Sequence, residues 1–108
     1  MAEVIVRNKA KIRLAKILEA AYTDYGQTTL NRFLSELEHI EHRLSIQPES
    51  YPLEYSLMGL KRKYRFCTLK KNFKLIYYYR PRLDKVVIVT VWDTRMNPAK
   101  LVKELNHL

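Results

Sequence analysis

The chain has 108 residues, a length that supports one domain with a real core and leaves no room for two. Two glycines and four prolines in a chain that is 47% apolar argue against disorder, and the single cysteine excludes an internal disulfide framework and fits a reducing compartment. The formal charge of +9 is uneven: residues 1–54 carry seven Lys/Arg against eight Asp/Glu, and residues 55–108 carry thirteen against three. A basic half of this kind calls for a polyanion or an acidic partner. MAEVIVRNKAK has no signal-peptide pattern and no run of 18 apolar residues occurs, so the expectation is a cytoplasmic protein without a membrane partner.

In chain order, Glu3 to Arg7 is short and β-branched and predicts a strand. Asn8 is a suitable N-cap for a helix whose face is marked by Ala15, Leu18, Tyr22 and Tyr25, and Gly26 suits its left-handed end. Thr28 or Thr29 is expected to cap a second helix, with Leu30, Phe33, Leu34, Leu37, Ile40 and Leu44 forming its apolar stripe. About three residues between the two helices predict an antiparallel hairpin. Gln47 to Gly59 reads as a loop. Lys61–Leu69, Phe73–Arg80 and Lys85–Trp92 then read as strands joined by short turns, which forces an antiparallel meander. VVIVTVW is apolar on both faces and belongs in the sheet's centre. Asn97-Pro98 opens a short terminal helix through Leu105. The architecture expected is α+β: one domain over residues 1–108, with a helix hairpin on one face of the sheet and the other face free to carry basic residues.

The stretch from Gly59 to Arg82, GLKRKYRFCTLKKNFKLIYYYRPR, contains nine Lys or Arg residues, no carboxylate, and four of the eight tyrosines. Charge interleaved with aromatics at strand spacing is the pattern of a nucleic-acid or acidic-protein interface. Lys61, Arg62, Lys63, Arg65, Lys70, Lys71 and Arg80 are the candidate binding residues. Strand alternation separates Tyr78 from Tyr77 and Tyr79, so at least one of the three belongs to the core. Trp92 is read as packing and Cys67 as a buried structural thiol. His39 and His42 are three apart on the second helix but lack a third ligand, so neither a metal nor another cofactor is expected.

KRKYRF, a turn, NFKLIYYY and then KVVIVTVWDTRMNP resemble the C-terminal half of the RelE/ParE superfamily of toxins from bacterial type II toxin–antitoxin modules. The resemblance in element order and charge extends over essentially the whole chain. It implies a growth-inhibiting toxin neutralised by a cognate antitoxin, acting on DNA gyrase in ParE-like members or on ribosome-bound mRNA in RelE-like ones. Lys74 stands where RelE-like nucleases commonly have a phosphate-contacting Arg, supplying its charge without its fork. Arg95 falls near a second family Arg. The family's C-terminal Tyr is missing, and His107 is the titratable residue nearest that position. Metal-free RNA cleavage needs a base for the 2′-OH, cations for the transition state and an acid for the leaving oxygen. Lys74, Arg95 and His107 are the catalytic candidates on that basis. The incomplete set and the WDTRMNPAKL segment tilt the resemblance toward ParE-like members, and a non-catalytic basic binding module is the remaining alternative.

Overall fold

The computed structural model describes residues 1–106, so His107 lies outside the described residues. Strand β1 (Glu3–Val6) leads into helices α1 (Asn8–Tyr25) and α2 (Gln27–Ile46). A 3-10 turn (Tyr55–Leu57) follows, then strands β2 (Arg65–Leu69), β3 (Phe73–Arg80) and β4 (Lys85–Asp93), and helix α3 (Pro98–Leu105). The sheet order is β1-β4-β3-β2. β2, β3 and β4 form the expected antiparallel meander, while β1 adds in parallel beside β4. The apolar β4 is therefore internal, as its composition required.

Both helix starts differ from expectation. Arg7, in extended conformation, is the N-cap of α1, and its carbonyl accepts from Lys11 N–H at 3.0 Å, so Asn8 is already helical. Gly26 alone joins the helices: its N–H donates to the Tyr22 carbonyl at 2.8 Å, and its own carbonyl accepts from Leu30 N–H at 3.2 Å. One residue ends one helix and begins the next, so neither Thr28 nor Thr29 acts as a cap. Gly26 has φ +89°, where a Cβ would meet no neighbour but would strain the backbone. By contrast, Asn97 caps α3 as expected, its Oδ1 accepting from Ala99 N–H at 3.0 Å with Pro98 behind it.

The hairpin covers one face through Ala10, Phe33, Ile40 and Leu44, packed against Cys67, Leu75, Tyr77, Val86 and Ile88. The opposite face, expected to be free, is covered as well. Leu57, Tyr64, Leu101 and Leu105 lie over Ile76, Tyr78, Val87, Val89 and Trp92. The reason is in β3 and β4 themselves: Ile76, Tyr78, Val87 and Val89 give that face its own apolar surface, which has to be removed from water. Tyr77 and Tyr78 divide between the two cores, as alternation demands.

β2 is shorter than its sequence pattern. It begins at Arg65 because Tyr64 turns back, its N–H donating to the Arg62 carbonyl at 3.1 Å and its carbonyl accepting from Glu54 N–H at 2.8 Å. Lys61, Arg62 and Lys63 therefore lie on an irregular segment and not on a strand. A register shift between Ile76 and Tyr77 pairs Ile76 with Thr90 and Tyr77 with Ile88, leaving Val89 as the extra residue of a bulge.

Candidate functional site

Lys74 projects from β3 onto the face shared with Ile76 and Tyr78, paired across the ladder with Trp92. Its Nζ donates to Glu54 Oε1 at 2.7 Å and stands 4.3 Å from the Phe66 ring centroid. Glu54 is the buried charged residue among those described, with 6% of its surface exposed. Its other oxygen accepts from Ser56 N–H at 3.2 Å and Ser56 Oγ at 3.0 Å, so all its contacts favour the anion. Burial pushes the Glu54 carboxyl up, but Lys74 and the Ser56 donors outweigh it and hold the group below its ordinary range. Glu54, Ser56, Lys74, Trp92 and Thr94 line a cleft of about 80 Å³ against Pro98 and Leu101 of α3.

Arg95 follows β4 at the other side of the sheet's end. Its guanidinium clamps Asp93 in a fork, Nε to Oδ1 at 3.0 Å and Nη2 to Oδ2 at 2.8 Å, while its backbone N–H donates to Oδ1 at 2.9 Å. These bonds hold the Asp93 carboxyl below its usual range. Arg95 lines a groove of about 510 Å³ with Ile17, Phe33, Lys70 and Phe73, on the hairpin side. Lys74 and Arg95 line different clefts. The sequence-predicted pair is thus separated, and each cation already holds a carboxylate.

The binding candidates also divide. Arg65 donates to the Tyr51 carbonyl at 2.7 Å and pairs with Glu49 at 3.6 Å. Lys70 occupies a positive-φ turn at 54°, where its N–H and ammonium both meet Glu36. Lys71 and Arg80 are exposed at the ends of β3. Lys61, Arg62, Lys63 and Arg65 line a third cleft of about 390 Å³ with Glu49, Tyr78, Tyr79 and Pro81. Cys67 is buried, and burial pushes its thiol up to about 12, which makes it inert at neutral pH. Tyr51, Tyr64 and Tyr77 are likewise raised, chiefly by burial.

Glu54 is the functional candidate that the sequence did not reveal. Its signal was positional: it is the last carboxylate before a cation-rich run that meets no acid until Asp84. Arg13 was also missed. From α1 it donates to Thr90 Oγ1 on β4 and to both oxygens of Glu104 on α3, at 3.0 and 2.7 Å, tying the two covers of the sheet together. Burial would raise the Glu104 carboxyl, but Arg13, with Lys9, holds it low. Among the described residues no three His, Cys, Asp or Glu side chains converge to hold a metal ion. Among the described residues no helix is long and apolar enough to cross a membrane.

No protein-family profile and no curated protein matches this chain. A solved structure does: the crystal structure of a metal-bound toxin from Helicobacter pylori, with a TM-score of 0.62 at 17% identity. The alignment covers 88% of this chain and 97% of that one, so the likeness runs over nearly the full length of both. The α+β arrangement of this chain is thus similar to that of this toxin, without close sequence kinship.

Proposed function

We propose that this protein is the RelE/ParE-type toxin of a bacterial type II toxin–antitoxin module, arresting growth until a cognate antitoxin binds it. The observation that carries the proposal is the likeness to a toxin across nearly the full length of both chains. The basic second half supports it, since Lys61, Lys63, Lys71 and Arg80 offer exposed charge to an acidic antitoxin segment or a nucleic-acid-bound target. DNA gyrase is the target we favour. Lys74 and Arg95 line different clefts and are each neutralised by a neighbouring carboxylate, an arrangement better suited to holding a macromolecule than to cutting one.

A second reading, ribosome-dependent mRNA cleavage, is favoured by one specific observation. Glu54 and Lys74 place a carboxylate and an ammonium 2.7 Å apart in a cleft beside Trp92, a base and a cation within one hydrogen bond of each other. The low carboxyl of Glu54 weakens it as a base at neutral pH, which is why we place this reading second.

The test is induction in a bacterial host, with and without the small gene adjacent to this one. Growth arrest relieved by that gene's product is expected, together with trapped gyrase–DNA cleavage complexes. Ribosome-bound mRNA fragments abolished by Glu54→Gln and Lys74→Ala would select the second reading. Folded protein that leaves growth untouched sinks both.

A further inference from the structure

Seven basic residues among those described are half-buried, and five of them (Arg13, Arg65, Lys70, Lys74 and Lys85) are paired with a carboxylate. Arg7 and Arg62 are the two without one among the described residues, and both attend the same side chain. The Arg62 guanidinium lies 4.1 Å from the Tyr78 ring centroid. Arg7 lies 6.0 Å from that centroid, and its Nη2 donates to the Tyr78 hydroxyl at 3.0 Å. Tyr64 packs edge-on against Tyr78 at 5.9 Å, and both rings are buried, each 3% exposed.

Two guanidiniums collected on one buried ring, 71 and 16 residues away in sequence, repel each other with no carboxylate paired to either among the described residues. Contacts with Tyr78 hold both in place, and a bound anion would relieve their repulsion. Arg62 opens onto the cleft of about 390 Å³ whose other cations are Lys61, Lys63 and Arg65, and whose one carboxylate, Glu49, is exposed and turned to Arg65. The stacked Arg62 makes no hydrogen bond to a described residue, so its fork of donors is oriented and unspent. Arg62 and Arg7 both oppose the rise that burial causes in the Tyr64 phenol.

We propose that Arg7 and Arg62, positioned by Tyr78 and Tyr64, form a binding site for a phosphate group, at the opposite end of β3 from the Lys74–Glu54 cleft. A tetrahedral phosphate offers several edges and can engage two guanidinium forks at once, whereas a carboxylate offers a single plane. The same chemistry is presented by free phosphate and by the backbone of a single-stranded polynucleotide. The site stands independently of the toxin reading.

The experiment titrates the full chain with inorganic phosphate, with acetate at matched ionic strength, and with a labelled single-stranded ten-nucleotide RNA. Phosphate is expected to shift the Tyr64 and Tyr78 ring resonances where acetate does not, and Arg62→Ala to abolish the shift. For the RNA, Arg62→Ala should weaken binding about tenfold and reduce the log–log salt slope by about 0.7, one phosphate contact, while Arg32→Ala, at an exposed position of α2, changes affinity less than twofold. A response confined to RNA assigns the phosphate to a polynucleotide backbone, and a response to inorganic phosphate alone assigns it to a free ester. Arg62→Lys, which keeps charge and loses the fork, should recover only part of the loss. Arg62 lies on an irregular segment, so its variants carry the test even where Arg7→Ala fails to fold. Equal effects of Arg62→Ala and Arg32→Ala, or no response to either phosphate source, overturn the proposal.

Discussion

The two ends of β3 show the same sheet face solving one problem in opposite ways. At Lys74 the cation is matched by a buried carboxylate, which Ser56 in turn satisfies. At Tyr78, about 13 Å further along the strand, two guanidiniums gather with no acid beside them among the described residues. Both ends are basic in sequence, but only one is basic in its chemistry. A count of Lys and Arg locates a charged face; which charges remain available is decided by where the few carboxylates fold to.

The comparison breaks most sharply at Glu54. Glu54→Ala strands Lys74 beside Phe66 and should cost about 3 kcal/mol in urea unfolding, the lower range for breaking a buried pair because Lys74 keeps 29% of its side chain in water. A loss under 1 kcal/mol would mean that the pair is not structurally matched at all. Removing both partners together, as Glu54→Gln with Lys74→Met, should restore stability to within about 1 kcal/mol of the parent, since no uncompensated charge remains.

The Arg13–Glu104 tether comes next. Glu104→Gln keeps one acceptor but loses the fork, and a loss of about 1.5 kcal/mol is expected, with amide exchange in α3 accelerating more than in α2. Uniform acceleration in both helices would show that Arg13 does not hold the second cover in place.

Acid gives a further contrast. The Glu54 and Glu104 carboxyls both lie below their ordinary value of 4.5 in the folded protein. Their contribution is therefore complete above that pH and is lost as pH falls through the folded values. Stability measured from pH 6 to pH 3 should fall more steeply in the parent than in Glu54→Gln, and parallel curves would contradict the matched end. The smallest effect belongs to the unmatched end: Arg62→Ala should change stability by under about 1 kcal/mol, because a partly exposed stacked cation contributes little to folding.

Local signals in the sequence were strong where the chemistry was local. Asn97-Pro98, the α2 stripe and the doubly apolar β4 each contain their own physical reason, and they appear as read except that Leu34 of the stripe is exposed. The free basic face was misjudged although Ile76, Tyr78, Val87 and Val89 already demanded a cover; α3 and the 3-10 turn supply it. The Lys61–Lys63 segment alternates like a strand, but the chain turns at Arg62, whose carbonyl accepts from Tyr64 N–H, and the 52–54 segment pairs only from Tyr64 onward, contacts no periodicity encodes. Glu54 and Arg13 find their partners 20 and 91 residues away, so their roles arise only once the chain has closed.

The Val89 bulge sets the phase of everything beyond it. With regular pairing, Lys74 would face Val91 and Trp92 would sit opposite Phe73 under the hairpin; the extra residue instead brings Trp92 to Lys74. Deleting Val89 would thus join Ile88 directly to Thr90 with each later side chain still on its present face. A shortened chain that loses one buried valine yet keeps Lys74, Glu54 and Trp92 in company is the rare deletion that an internal strand of this sheet is built to survive.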